Sequence, residues 1–336
     1  MFPDSPAWQL IFEALKLSPD IANLEHPDEN ELLALCRDHG ILLVINQVLN
    51  NSQHNLFSES GQNQWRSEVA AYTLLGLTMH RELQRLLSRF AIADVSVEPF
   101  KGSVLSERFY GDPAMRMFTD IDLLVPPKDV RNVVDMLIDD GYLHMFELEA
   151  LSGWLRPGSQ VNHCVLKHPS GSWLVEVHWQ LFAAWRRIPD PIVTMGTDGG
   201  DILEMLLYLC FHGAAHWWIR LKWVVDINYC VKSAQDLDWD ELFNRAHKRG
   251  CVRVVRVGLL LAQVTCGLKL PENVSVEITS DPKVILLAKR VACFWLHPTT
   301  EQPSLLWKFC YLLACRERFS DKLGMILDYP LKRSFS

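Results

Sequence analysis

The chain has no Cys-x-x-Cys pair, which removes the paired-thiol motifs of zinc ribbons and dithiol redox sites. Its nine cysteines form an odd, scattered set, mostly among apolar neighbours. That pattern suits buried free thiols in a reducing compartment. Positive charge is also in deficit: 33 Lys and Arg against 40 Asp and Glu leave a net charge of −7. A general nucleic-acid binder normally carries a basic surface, so that class is set aside. A local basic pocket for a phosphorylated small molecule is not. No uncharged apolar run reaches the roughly 18–20 residues of a membrane span. Met1-Phe2-Pro3-Asp4-Ser5-Pro6 lacks the basic segment and following apolar run of a signal peptide. Internal repeats and low-complexity tracts are absent too. The expectation is a soluble cytoplasmic protein without a membrane span.

What is present is ordinary globular material. Apolar residues at 49% and charged residues at 22% allow a sizeable core. A chain of 336 residues has room for two domains, or one with helical extensions. Residues 1–94 read as an N-terminal helical region. Helical apolar spacing runs through Trp8–Leu15 and Glu31–Cys36, and again from about Gln64 to Ala91, with a polar break at Asn51–Asn55. Packing explains this region. The texture changes at Val95. Residues 95–190 read as a compact α/β core: a strand Val95–Phe100, a helix through Val104 to Phe109, and an acidic strand 119–125 stopped by Pro126-Pro127. A helix with Val130, Val133, Val134, Leu137 and Ile138 on one face follows, ended by Gly141. His163–Lys167 and Trp173–Trp179 alternate as strands around a Pro169-Ser170-Gly171-Ser172 turn, an antiparallel hairpin. Pro189 to Gly200 is a plausible linker, and 201–336 is a C-terminal helical domain. The fold class is α+β: a small mixed sheet flanked by N-terminal helices and a C-terminal helical domain.

The chemistry concentrates at Asp120-Ile121-Asp122. In a strand, residues two apart share a face. Asp120 and Asp122 therefore look the same way, while Ile121, Leu123 and Val125 anchor the opposite face in a core. Two like charges on one face repel unless a cation lies between them, and carboxylates suit Mg²⁺. In Trp173–Trp179, alternation puts Leu174, Glu176 and His178 on one face. If that strand lies beside 119–125, Glu176 joins the two aspartates around the same ions; otherwise it is an exposed residue of a half-buried strand. Upstream, Lys101-Gly102-Ser103 sits between a strand and a helix. Glycine there lets the backbone approach a phosphate, the helix N-terminus offers N–H donors, and Lys101 can neutralise charge. Arg116 either reaches a triphosphate or pairs with a nearby acid. His178 shares the face of Glu176 and has a supporting or substrate role, while Trp179 faces the core.

Strand, Gly-Ser, helix, Asp-x-Asp strand and a later strand acid together resemble the polymerase-β-like nucleotidyltransferase superfamily. Phe100-Lys101-Gly102-Ser103, Phe109–Pro113, Arg116, Asp120–Val125 and Glu176-Val177-His178-Trp179 resemble more closely a bacterial family of uncharacterised nucleotidyltransferases. The string Leu209–Asp226 resembles that family's second block, and the likeness covers about 95–260. Members often accompany polysaccharide or peptide natural-product gene clusters. The resemblance implies metal-ligand and catalytic roles for Asp120, Asp122 and Glu176, with Mg²⁺ or Mn²⁺ as the ion. It implies phosphate-holding roles for Gly102 and Ser103, and an NTP, ATP among the candidates, as co-substrate beside an unidentified acceptor. Two departures stand out. Sixteen residues separate Ser103 from Asp120, more than usual, and the third acid is Glu rather than the commoner Asp.

Downstream, His212-x-x-x-His216 puts two imidazoles on one helix face, as in zinc sites. It lacks the Glu of H-E-x-x-H and a third ligand at a set spacing. With Trp218, Arg220, Lys222 and Asp226 the pair either lines a substrate cleft or forms a polar knot between helices. The functional expectation is nucleotidyl transfer. The alternatives are an inactive nucleotide- or protein-binding module of the same fold, or transfer of a sugar-phosphate-type group. Oligomeric state is left open.

Overall fold

The computed structural model describes residues 5–16, 19–21, 23–52, 56–156, 159, 161–181, 200–234, 236–296 and 304–328. They divide into two compact units: Met1–Tyr72 with Ile202–Leu323, and Thr73–Asp201 with Gly324–Ser336. Most of the expected Pro189–Gly200 linker lies outside the described residues.

Four helices come first: α1 (Pro6–Ala14), α2 (Glu29–Asp38), α3 (Leu42–Asn51) and α4 (Glu59–Ile92). Proline near the start of α1 costs no hydrogen bond, because the first-turn N–H groups have no partner in the helix. Asp28 caps α2 by accepting from the Glu31 backbone N–H at 2.8 Å, and two acids in the first turn suit the helix dipole.

The sheet belongs to the second unit. It holds β1 (Glu98–Pro99), β2 (Asp120–Leu124), β3 (Leu143–His144), β4 (His163–Lys167) and β5 (Leu174–His178), in the order β1-β2-β5-β4-β3. β2 and β5 are parallel, and the other pairings are antiparallel, so the sheet is mixed as expected. The expected strand Val95–Phe100 shrinks to two paired residues, Glu98 and Pro99. Proline has no N–H to donate to a ladder. Between the strands lie α5 (Gly102–Tyr110), α6 (Val130–Asp139) and a short helix α7 (Leu151–Trp154).

Period-two alternation sets the layers. Ile121, Leu123 and Val125 of β2 and its end, Val175 and Val177 of β5, and Cys164 and Leu166 of β4 share one face. They form a single core with Met79, Leu83, Leu86 and Phe90 of α4 and Val130, Val133, Val134 and Leu137 of α6. Each such aliphatic side chain contributes about 1.5–3 kcal/mol on full burial. Trp179 joins that core, as alternation predicts. The opposite face is left for charged residues.

The first unit is helical beyond Asp201: α8 (Ile202–Ala215), α9 (Lys222–Ser233), α10 (Trp239–Lys248), α11 (Val252–Cys266), α12 (Glu272–Thr279), α13 (Pro282–Leu296) and α14 (Leu305–Cys315). α15 (Phe319–Asp328) crosses the division between units. α8 is apolar nearly all round and almost wholly buried, as a central helix must be. It packs with α9 and α11. The helix expected to run to Trp218 stops at Ala215, because Trp217 and Trp218 both adopt a left-handed backbone at φ 55°. Trp218 is fully buried and lies over Gly213, so it lines no cleft. No helix among the described residues is long and apolar enough to cross a membrane.

Candidate active site

The acidic strand pairs directly with the strand that carries the third acid. β2 and β5 match Asp120 with Leu174, Asp122 with Glu176, and Leu124 with His178. Side-by-side pairing turns two sequence motifs 54 positions apart into one cluster (176 − 122). Asp122 Oδ1 lies 2.7 Å from Lys101 Nζ and 3.1 Å from His178 Nε2. That same His178 nitrogen is 3.0 Å from Glu176 Oε2. The Asp122 carboxylate is fully shielded, the Glu176 side chain keeps 22% of its exposure, and the His178 side chain keeps 5%. The cluster is thus buried at its root and open to solvent through Glu176.

Charge pairing decides the protonation states. Burial opposes ionisation of Asp122, but the Lys101 ammonium and His178 outweigh it and hold the carboxyl well below the usual carboxylate range. Burial likewise opposes ionisation of Glu176, and the hydrogen bond from His178 overcomes it, so that carboxyl is also lowered. Burial pulls the His178 imidazole down, yet its bonds to Asp122 and Glu176 prevail and raise it. His163, stacked on His178 with ring centroids 4.8 Å apart, is pushed down to about 4 by burial and by the charge of His178. The two stacked imidazoles are therefore shifted in opposite directions.

Donor chemistry fits a cation. Asp122, Glu176 and His178 each offer a ligand atom, all within 4.8 Å of one another. Asp122 Oδ2 is buried with no hydrogen-bond partner among the described residues, an acceptor waiting for positive charge. Two carboxylates and an imidazole suit a divalent ion. Asp120 stands half-buried at the start of β2, on the same face but outside this trio. His178, read from sequence as supporting, is therefore inside the cluster.

Gly102 opens α5 with φ +57°, a conformation glycine adopts without penalty, and Lys101 occupies the cap position. A β-carbon on Gly102 would stand 3.4 Å from the carbonyl oxygen of Asp120, so the turn runs against the acidic strand. Ser103 is buried in the first turn. Arg116 is buried too, and its backbone N–H donates to Ser106 Oγ at 2.9 Å, while that hydroxyl donates to the Asp112 carbonyl at 2.6 Å. Ser106 pins the loop between α5 and β2. No sequence motif marked it.

His163 and Phe100 are also additions. Phe100 is fully buried and meets the His178 ring edge-on at 5.0 Å. The hairpin itself held the signal for His163: a turn at Ser170-Gly171 pairs His163 with His178.

The other candidates lie in the helical unit. The His212 and His216 rings are 4.6 Å apart, and both meet Trp223, at 5.8 and 5.1 Å. Asp226 is fully buried on α9, and Arg220 precedes that helix in the Trp218–Lys222 connection. Among the described residues these histidines join no group of three metal-ligating side chains, whereas the sheet provides one.

No curated protein and no solved structure matches the chain. One family profile does, described as an uncharacterised nucleotidyltransferase, over residues 25–267. The match starts well before the sheet, so the N-terminal helices from α2 onward belong to the family pattern as much as the sheet does. With most of its length so covered, the chain belongs to the family of uncharacterised nucleotidyltransferases.

Proposed function

We propose that the protein transfers a nucleoside monophosphate from an NTP to a hydroxyl or phosphate of a small-molecule, glycan or peptide acceptor. The observation that carries this reading is the Asp122–Glu176–His178 cluster, set beside a Gly-Ser helix start. Asp122 and Glu176, joined by Asp120 from the same strand face, would hold Mg²⁺ or Mn²⁺. When bound, that ion supplies Lewis-acid neutralisation of phosphate charge. Gly102 and Ser103 offer backbone N–H groups to phosphate oxygens, and Arg116 and Lys101 supply positive charge. In the transfer, the acceptor oxygen attacks the α-phosphorus, the bond to the bridging oxygen breaks, and pyrophosphate leaves. Glu176, the most exposed member of the cluster, takes the acceptor proton. His178 orients both carboxylates through one nitrogen. We further propose that His212, His216, Arg220 and Asp226 contact substrate.

One observation favours a second reading, a binding module of the same fold without chemistry. Lys101 and His178 both pair with Asp122 Oδ1 and partly neutralise it from within the protein. Transfer of a sugar-phosphate-type group is a further variant of the enzyme reading, and the acceptor decides it. The test is incubation with each NTP, Mg²⁺ and a metabolite extract, with mass spectrometry for nucleotide-sized additions and an assay for pyrophosphate. Asp120→Ala combined with Asp122→Ala is expected to abolish turnover in a protein that remains folded. Undiminished turnover in that variant overturns the assignment, and nucleotide binding without any pyrophosphate selects the binding module.

A further inference from the structure

A cavity lies entirely within the helical unit, between α1, α3 and α9, with a volume of about 430 Å³. That falls in the range of about 300–1,000 Å³ typical of small-molecule sites. Apolar wall comes from Leu15, Val44 and Val48, and Gln47, Asn51, Asn228, Tyr229 and Lys232 also line it.

Two of these are unsatisfied. Asn228 is only 2% exposed, yet its Oδ1 has no hydrogen-bond partner among the described residues. Native proteins rarely leave a buried amide oxygen unpaired, so such an atom points to a missing donor. Lys232 is exposed at the cavity rim, and its ammonium sits 5.6 Å from the centre of the Tyr229 ring. It has no carboxylate partner among the described residues. Partial desolvation pulls its pKa below the usual lysine value. By contrast Lys16, also on the rim, is already paired with Glu13.

The occupant follows from these groups. Asn228 Oδ1 asks for a hydroxyl or amine hydrogen, Lys232 asks for an anion, and the Gln47 and Asn51 amides suit neighbouring hydroxyls. A flat base has little to stack on: Tyr229 is the aromatic ring among the described lining residues, and the Lys232 ammonium already stands over it. We infer that this cavity binds a small polyhydroxylated anion, a sugar phosphate or a sugar acid. The inference does not depend on the metal cluster or on nucleotidyl transfer.

Calorimetry on the full chain tests it with four probes: glucose 6-phosphate, glucuronate, glucose and inorganic phosphate. At least one of the two sugar anions is expected to bind saturably, tenfold or more tightly than glucose or inorganic phosphate. Preference for the phosphate or for the carboxylate tells the two sources apart. Lys232→Gln, at an exposed position, should weaken that binding at least tenfold with an unchanged melting temperature. Lys232 also borders a neighbouring cavity lined by Asp236, Trp239 and Lys269, whereas Asn228 lines the first. Asn228→Leu therefore assigns the site and should weaken binding as much. No saturable binding of either sugar anion, equal binding of inorganic phosphate, or full binding by Lys232→Gln overturns the inference.

Discussion

His178 and His212 belong to different worlds within one chain. His178 sits on a strand, and one of its nitrogens lies within 3.1 Å of two carboxylates. His212 sits on a helix among rings: His216 at 4.6 Å, Tyr208 at 5.7 Å and Trp223 at 5.8 Å. The first arrangement gathers charge that a buried site tolerates only when each member is paired. The second packs aromatic surface, which stabilises through area and ring geometry. Chemistry that moves phosphate needs the first kind. The surroundings of His178 are thus built for charge, and those of His212 and Trp218 for packing. Substitutions at Asp122 beside His178 and at Gly213 beside Trp218 should fail differently, one losing turnover and the other losing the fold.

The largest expected effect is on the charge side. Asp122→Asn keeps the shape of the residue and removes the negative charge that Lys101 and His178 surround. A metal ligand supplies several kcal/mol of charge stabilisation. At 1.36 kcal/mol per factor of ten, kcat/KM for the NTP should fall by about 10³-fold or more. Steady-state pyrophosphate release checks this, and a loss below tenfold would detach Asp122 from the chemistry.

The matching break on the packing side is Gly213→Ala. An added β-carbon would lie 2.2 Å from the ring of Trp218, which is fully buried. That ring cannot retreat easily: its backbone carbonyl accepts a 2.6 Å hydrogen bond from Trp295 Nε1, and its φ of 55° is already unfavourable. Overpacking of this kind costs about 1–3 kcal/mol or more. Denaturant melts should report a loss of about 1–3 kcal/mol or more. The folded fraction should keep its affinity for Mg²⁺, which no Gly213 contact touches.

The sequence disclosed these two regions unequally. Alternation alone placed Asp120 and Asp122 opposite Ile121, Leu123 and Val125, because a strand's period is fixed at two. It also placed Glu176 with His178 and sent Trp179 to the core. What it left conditional was the pairing of β2 with β5, since contact between distant strands is set by the whole sheet rather than by either segment. For the same reason the fate of Trp218 was hidden. Its residue type says apolar or interfacial, and only the helix end at Ala215 decides which. α3 escaped because Leu42-Leu43-Val44-Ile45 is a short apolar run with no distinguishing period. His163 was readable in principle from the hairpin register, and Ser106 was not, because a small polar residue on a helix carries no pattern.

A smaller effect is expected at the phosphate-facing turn. Gly102→Ala forces a side chain into φ +57°, at a cost of about 1–2 kcal/mol. The added carbon also crowds the Asp120 carbonyl at 3.4 Å. If the turn holds phosphate, the KM for NTP should rise by about tenfold, the equivalent of one lost hydrogen bond of about 1–1.5 kcal/mol. A change in stability with no change in KM would make the turn structural only.

The least effect is the pH dependence of the metal-free protein, because burial opposes every pairing that drives it. Asp122 and Glu176 have lowered pKa values in the folded state. Their stabilisation is present above the unfolded carboxyl range of about 4 and is lost as pH falls through the lower folded values. His178 is raised, so its contribution is complete below about 6.5 and is lost as pH rises through its folded pKa. The metal-free sheet unit should therefore melt highest between about pH 4 and 6.5 and decline on both sides. Mg²⁺ acts on one flank of this profile. Ligands bind a cation in their deprotonated forms, so affinity should strengthen as His178 loses its proton. Melting curves at pH 6 and pH 8, with and without Mg²⁺, should show the larger metal-induced rise at pH 8. The same rise at both values would mean that the ion binds without competing with the His178 proton, and would take the imidazole out of the metal cluster.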